Sequence, residues 1–383
     1  MTGMNQGMNH STENNLNNRS IKDIVKGIPV NRYIDVIVFI FLIVFPFVED
    51  TYWIYVMSGI MAYIIFALSL DLLWGYTGLM SMGHSLLFGA GGYMVGIGCA
   101  YANKADWMKT DSLPWFLSPL KSEAGAFLMA LIVPGIISLI IGFFMFTGKI
   151  RGVFFSLITM ALAGVAELFV INQSDYTHGN SGISVISRTV LSNNKKDRYD
   201  DFTFYFIVFA FLIAVYLICL LITHSRVGKV LQAVRENESR LTFFGYKPSA
   251  FKLLIYTISG MMAGLAGVLY MRTQGSINST SVGINLATLV LVWVAVGGRG
   301  NLTGAMVGTL VLQMAETKLN SVFSGISADF AQYWKLVLGI IILVIVFVIP
   351  KGIVGTLVDV QQKHKDHKRK ERIMLSEEVL VHE

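Results

Sequence analysis

The sequence has little charge and almost no cysteine. Of its 383 residues, 14% are Asp, Glu, Lys or Arg and 54% are hydrophobic, whereas a soluble domain has about 25% charged residues. This composition excludes an ordinary soluble protein and indicates a polytopic membrane protein. The two cysteines, Cys99 and Cys219, lie far apart in apolar segments, which excludes a disulfide framework and a cysteine-based metal site.

Motifs for nucleotide binding and catalysis are also absent from the sequence. The segment closest to a phosphate-binding loop, GFFMFTGK at 142–149, has one residue too many between its glycines and lies in an apolar stretch. No HExxH, CxxC or GxSxG pattern occurs, so we do not expect this chain to be an enzyme. The net charge of +6 is expected to set membrane topology and does not indicate nucleic-acid binding. We predict no metal or cofactor in this chain.

Apolar segments of about 20 residues, the length that spans a bilayer, recur along the chain. They predict an all-α integral membrane protein with about ten transmembrane helices, within a range of about eight to ten. The candidate spans lie near 33–48, 53–73, 82–102, 124–148, 153–172, 202–223, 251–270, 281–297, 302–317 and 335–350. With this count most Lys and Arg clusters fall on one side, so both termini are predicted to be cytoplasmic.

The polar segments outside the spans define the domain organisation. An Asn-rich segment at 1–30 lacks the apolar core of a signal peptide and is predicted to be a disordered cytoplasmic tail. A transmembrane domain at 31–355 contains an outer loop at 173–201 and a cytoplasmic loop at 225–248. A basic cytoplasmic tail at 356–383 is expected to contact anionic membrane lipid.

Two glycine-rich segments, GYTGLMSMGHSLLFGAGGY at 75–93 and VGGRGNLTGAMVG at 296–308, stand at corresponding places beside apolar spans. Such interrupted segments point to a transport site, and small residues spaced by four allow helices to pack closely. We interpret this as a weak internal sequence similarity and not as a repeat. Most of these glycines are predicted to serve helix–helix packing. The predicted packing positions are Gly75, Gly78, Gly83, Gly92, Gly96, Gly297, Gly298, Gly300, Gly304 and Gly308.

Ionisable and polar side chains within or near the apolar spans are candidates for a translocation path, because such groups usually face the bundle interior or a water-filled cavity. An alternative is a structural role in capping or helix pairing, which applies to Glu316 as well. The predicted path residues are Asp71, Ser81, His84, Glu167, Asn285 and Thr288.

The loop SRVGKVLQAVRENESRLTFFGYKP at 225–248 has the pattern of an amphipathic helix. Its apolar residues recur at i, i+3, i+4 and i+7, at Val227, Val230, Leu231 and Val234. Charged residues of both signs occupy the other faces. A helix lying on lipid is one interpretation. We favour a helix that docks into a partner, because a lipid-surface helix would carry mainly Lys and Arg.

This loop resembles the cytoplasmic loop of permease subunits in ATP-binding cassette (ABC) importers of the branched-chain amino acid and urea class. DLLWGYTGLMSMGHSLLFGAGGY, THGNSGI, VWVAVGGRGNLTGAMVG and IPKGIVG are similar to further motifs of that family and occur in its order. LLWGYTGL at 72–79 and VWVAVGGRG at 292–300 look most like the urea-type subunit.

The resemblance implies a bacterial inner-membrane importer built from several chains. Its partners would be a homologous second permease, two cytoplasmic ATPases that bind ATP and magnesium, and a periplasmic solute-binding protein. The residues implied in ATPase coupling are Arg226, Lys229, Arg235, Glu236, Asn237, Glu238 and Arg240. The expected cargo is urea or a short-chain amide, and branched-chain amino acids are the alternative. An ion-coupled secondary transporter or channel, with Asp71 and Glu167 as coupling carboxylates, is the alternative of another class.

Overall fold

The computed structural model describes residues 30–102, 115–150, 152–184, 200–326, 334–349, 352–357 and 359. The chain divides into two units. One comprises Met1–Phe41 with Leu357–Glu383, and the other comprises Leu42–Thr356 and holds most of the described helices. The predicted tail at 1–30, apart from its last residue, most of the tail at 356–383 and residues 185–199 of the predicted outer loop lie outside the described residues.

The described residues are almost entirely helical. The helices are α1 Val30–Val48, α2 Thr51–Thr77, α3 His84–Ala102, α4 Glu123–Thr147, α5 Val153–Asn172, α6 Ser174–Thr177, α7 Asp201–His224, α8 Arg226–Phe243, α9 Pro248–Gln274, α10 Ile284–Gly297, α11 Leu302–Ile326 and α12 Trp334–Val348. Short 3-10 turns occur at Trp115–Lys121, Gly179–Ser181 and Ser279–Ser281. Strands β1 Ile183–Ser184 and β2 Ser276–Ile277 form a short antiparallel pair.

Helices α2, α3 and α9 form the centre of the larger unit. Their side chains are mostly buried, whereas α4 and α5 expose large apolar residues such as Phe144 and Phe154. Helices that are apolar on every face are typical of membrane spans, because hydrocarbon replaces water around the outer ones.

Glycine allows the central helices to touch backbone to backbone. A Cβ atom added to Gly91 on α3 would lie 2.1 Å from the carbonyl oxygen of Gly264 on α9. One turn away, a Cβ atom on Gly267 would lie 1.9 Å from the carbonyl oxygen of Phe88. Such approach increases van der Waals contact where lipid removes the hydrophobic drive between helices.

The predicted count of ten membrane spans is not confirmed. Among the described residues, seven helices are long and apolar enough to cross a membrane: α1, α2, α3, α4, α5, α7 and α9. Helices α10 and α11, predicted as two separate spans, are bent by 116° at a short break and count as an eighth span if they are taken together. The 14 residues of α10 extend only about 21 Å, less than the roughly 30 Å hydrocarbon core.

Glycine in the left-handed region ends α10. Gly298 has φ 119° and Gly300 has φ 79°, and this region is strained for residues with a Cβ atom. The chain therefore turns sharply here and begins α11 at Leu302.

Candidate coupling and translocation site

The predicted coupling loop folds as α8, which consists of two short helices. Asn237 has extended backbone angles and interrupts the helix. Its Oδ1 atom accepts a hydrogen bond of 3.1 Å from the backbone N–H of Arg240, so the side chain caps the second part. Ser225 caps the first part through its Oγ atom, which accepts from the N–H of Gly228.

The apolar stripe of α8 packs against the chain itself. Leu231 and Val234 are buried, and α8 contacts α2, α7 and α9. The exposed residues on the other faces of α8 include Arg226, Lys229, Arg235, Glu236, Asn237 and Arg240. The stripe is therefore used largely within the chain: Leu231 and Val234 are covered, whereas Val227 and Val230 stay partly exposed.

Two aromatic residues project at the tip of α8. Phe243 is 91% exposed and Phe244 is 78% exposed. Glu238, one turn earlier, forms an ion pair of 2.7 Å with Lys252 near the start of α9. That ion pair connects the second part of α8 to α9 and so stabilises the position of the exposed tip.

Arg235 connects α8 to the end of α2. Its guanidinium donates a hydrogen bond to the carbonyl oxygen of Gly75. A Cβ atom added to Gly78 would lie 3.1 Å from Arg235 Cγ, and one added to Gly300 would lie 3.2 Å from Arg235 Nη1. Glycine at these positions leaves room for the arginine side chain.

The two glycine-rich segments meet at this point. Asp71 Oδ1 on α2 accepts a hydrogen bond of 2.7 Å from the backbone N–H of Gly300. A Cβ atom on Gly75 would lie 2.6 Å from the Cα atom of Gly300. We call Asp71, Gly75, Gly78, Arg235 and Gly300 the glycine junction.

Neighbouring motifs extend the glycine junction. The Arg299 guanidinium lies 5.4 Å from the ring centre of Trp74. A Cβ atom on Gly352, in the motif IPKGIVG, would lie 2.4 Å from the Cα atom of Gly298. Three motifs that are distant in sequence therefore share one contact region.

His84 joins three helices in the interior of the bundle. Its Nε2 atom lies 3.0 Å from Ser69 Oγ on α2 and 3.1 Å from Ser259 Oγ on α9. Both hydroxyls donate to carbonyl oxygens, Ser69 to Phe66 and Ser259 to Ser69. Because both hydroxyl protons are already donated to carbonyl oxygens, the serine oxygens can only accept from His84, and we assign Nε2–H as the donor to both. The arrangement matches the helix-pairing alternative for His84, which is fully buried.

The loop between α2 and α3 is held against α5. Ser156 Oγ donates a hydrogen bond of 2.7 Å to the carbonyl oxygen of Met80, and the N–H of Met82 donates to Thr159 Oγ1. Ser81, a predicted path residue, lies between these contacts and is fully buried.

The start of α10 meets the start of α3. Ser85 Oγ lies 2.8 Å from the carbonyl oxygens of both Val282 and Gly283. The Glu167 carboxylate of α5 lies 2.0 Å from where a Cβ atom on Gly283 would be. A carboxylate at a helix N-terminus is favourable, because it faces the positive end of the helix dipole.

The structure places the predicted path residues in four surroundings. Asp71 belongs to the glycine junction, Ser81 and His84 lie inside the bundle, and Glu167 faces the start of α10. Asn285 and Thr288 lie on one exposed face of α10. The path role of all six stays a prediction. Within the described part of the chain, no group of three His, Cys, Asp or Glu residues is arranged to hold a metal ion.

A cavity that sequence reasoning missed lies between α2, α9 and α11, toward the ends of α2 and α9 remote from α8. Its volume is about 410 Å³. The lining residues are Val56, Gly59, Ile60, Tyr63, Tyr270, Gln274, Gln313, Glu316, Thr317 and Asn320. The sequence signal for this cavity is a polar stripe on α11, where Gln313, Glu316, Thr317 and Asn320 recur at i, i+3, i+4 and i+7.

An aromatic cluster connects this cavity with His84. The Tyr63 ring lies 4.8 Å from that of Tyr270 and 5.0 Å from that of Trp293. Phe88 lies 5.5 Å from Tyr270 and 4.8 Å from Phe66, whose ring stacks on His84 at 5.7 Å.

Comparison with known proteins supplies the family context. The profile of a family described as branched-chain amino acid transport system, permease component, matches residues 52–346. The high-affinity branched-chain amino acid transport system permease protein LivM of Salmonella typhimurium is 24% identical over 332 residues, which cover 81% of this chain and 72% of that protein. A branched-chain amino acid transport permease, LivM, of Methanocaldococcus jannaschii is 23% identical over 320 residues, covering 76% and 90%. The ribose import permease protein RbsC of Escherichia coli is 28% identical over 130 residues, covering 33% and 39%. No solved structure matches.

Proposed function

Because the chain belongs to the family of branched-chain amino acid transport system permease components, we propose that it is the membrane-spanning subunit of an ATP-driven importer of aliphatic amino acids. The observation that carries the proposal is α8. Its apolar stripe packs largely against the bundle, its tip and charged faces are exposed, and Arg235 links it to the glycine junction.

An importer of this kind needs partner chains for ATP hydrolysis and for solute capture, and we propose the following ones. Two ATPase subunits that bind ATP and magnesium would dock on α8, and a solute-binding protein would deliver cargo to the opposite end. A homologous second permease would pack beside this chain in the bacterial inner membrane. Asn285 and Thr288, on the exposed face of α10, are available to that interface or to the path it encloses.

In the proposed mechanism, movement of the ATPases reaches the path through the glycine junction. Arg235 moves with α8, and its hydrogen bond to Gly75 transmits that movement to the end of α2. Asp71 carries it on to Gly300 at the break between α10 and α11. A break at glycines in the left-handed region is a place where a chain bends without distorting whole helices.

For the cargo, an aliphatic amino acid has better support than urea. The urea interpretation rests on the motifs at 72–79 and 292–300, and the relatives that cover most of this chain are named for branched-chain amino acids. The urea-type assignment is therefore replaced here by its alternative, and urea becomes the competing outcome of the test.

The test is uptake into vesicles that contain the assembled complex. We expect labelled leucine to accumulate only with ATP and the binding protein present, and unlabelled urea not to compete. Uptake that stops when ion gradients are dissipated while ATP persists would instead identify an ion-coupled secondary transporter. Accumulation by this subunit alone would contradict a role as an importer subunit.

A further inference from the structure

We propose that the cavity between α2, α9 and α11 binds an α-amino acid with an aliphatic side chain, whose ammonium group is received by the Glu316 carboxylate. The inference rests on the proposed function, because it gives the importer's cargo a site within the permease itself.

The volume of the cavity suits a small solute. A volume of about 410 Å³ falls in the range of about 300–1,000 Å³ that is usual for ligand sites. Three helices supply it with regularly spaced residues: α2 at 56, 59, 60 and 63, α9 at 270 and 274, and α11 at 313, 316, 317 and 320. Polar stripes on membrane helices face the protein interior or a water-filled cavity.

The charge of the cavity selects for a cationic group. Among the described residues that line it, Glu316 alone carries a formal charge at neutral pH. Gln313 Nε2 donates a hydrogen bond of 2.9 Å to Glu316 Oε2, which orients the carboxylate. A solute with an ammonium group gains a charge-assisted hydrogen bond here, whereas a simple anion is repelled.

The remaining walls fit the other two parts of an amino acid. Side-chain amides of Gln274, Gln313 and Asn320 offer N–H donors to a solute carboxylate. Val56 and Ile60 form an apolar wall on α2 that fits an aliphatic side chain. Urea would use the amides but has no apolar group for that wall, so the composition of the walls favours the amino acid.

The experiment uses cysteine labelling of the complex of this chain with its permease and ATPase partners, without the binding protein. Cys99 and Cys219, both buried, are replaced by Ala, and Thr317→Cys places one thiol in the cavity. The rate of maleimide labelling is measured with leucine, with 4-methylpentanoate, which lacks the amine, and with urea. We expect leucine to slow labelling about tenfold and the other two to leave it unchanged.

Two variants test the role of the carboxylate in the same assay. Glu316→Gln is expected to abolish protection by leucine. The matched control Glu49→Gln removes a carboxylate from an exposed position outside the cavity and is expected to retain protection. Equal protection by leucine and 4-methylpentanoate, protection by urea, or full protection in Glu316→Gln would overturn the proposal.

Uptake by the same complex with its binding protein separates the two proposals. ATP-driven leucine uptake without protection at Thr317→Cys would refute the cavity site and leave the importer function standing. Protection without ATP-driven uptake of any amino acid would refute the importer function and leave the site standing.

Discussion

Arg235 on α8 donates a hydrogen bond to the carbonyl oxygen of Gly75 at the last turn of α2. The bond connects residues 160 positions apart in sequence. It joins the exposed segment that we propose as the ATPase docking site to the break between α10 and α11, because Asp71 of α2 binds Gly300 at that break.

Arg235→Ala is expected to uncouple ATP hydrolysis from uptake. The truncated side chain no longer reaches Gly75, so movement of α8 is not transmitted to α2. We expect the leucine taken up per ATP hydrolysed to fall about tenfold, while the ATPases still copurify. Paired uptake and phosphate-release assays measure this ratio. Ser239→Ala, a change at an exposed position on α8, is the control, and an unchanged ratio in Arg235→Ala would contradict the coupling route.

Phe243→Ser combined with Phe244→Ser is expected to weaken ATPase binding. Burying both rings at an interface contributes about 1.5–3 kcal/mol each, and hot spots of interfaces are often aromatic. Copurification of the ATPases with a tagged permease measures the effect, and we expect a loss of at least about tenfold in affinity. Tyr52→Ser removes an exposed aromatic ring near the start of α2, remote from α8, and should leave ATPase binding unchanged.

Gly267→Ala is expected to destabilise the membrane domain. The added methyl group would fall 1.9 Å from the carbonyl oxygen of Phe88, so α3 and α9 must separate. Overpacking of this kind costs about 1–3 kcal/mol, and thermal unfolding in detergent should show a lower Tm. Gly325→Ala on α11 meets no atom within 4 Å and should be neutral or slightly stabilising. Equal Tm values for both variants would show that the helix contact tolerates expansion.

Ser69→Ala and Ser259→Ala are expected to be non-additive. The Nε2–H of His84 has two serine acceptors, so either serine alone keeps it bonded. Removing both leaves a buried donor without a partner, which costs about 1–3 kcal/mol beyond the sum of the single changes. A double-mutant cycle of unfolding free energies in detergent measures this. Strict additivity would mean that Nε2 is not the donor in this cluster.

The sequence predicted the helices better than the bends between them. Most helix boundaries from hydropathy agree with the structure within a few residues, because long apolar runs have few alternatives to a helix in lipid. Residues 281–317 were the exception. Hydropathy treats both halves as spans, whereas the bend depends on the left-handed angles of Gly298 and Gly300, which no periodicity reports.

The candidate site was predicted by type but not by arrangement. The amphipathic stripe of α8 could be predicted from the sequence, because the spacing of its apolar residues defines it. The hydrogen bond from Arg235 to Gly75 and the ion pair between Glu238 and Lys252 join segments that are distant in sequence, so helical spacing does not predict them. The cavity was missed because its walls come from three helices, each of which contributes a few polar or small residues to an otherwise apolar pattern.

The short helix α10 has a consequence for biogenesis. Its 14 residues are too few to insert across a bilayer unaided, and peptide groups left bare in hydrocarbon cost several kcal/mol each. The hydrogen bonds that flank α10 connect it to helices synthesised earlier: Ser85 of α3 donates to the carbonyl oxygen of Gly283, before its first residue, and Asp71 of α2 accepts from the N–H of Gly300, beyond its last. We therefore expect α10 to enter the membrane after α2 and α3 have assembled, so that its insertion and its tertiary packing occur together.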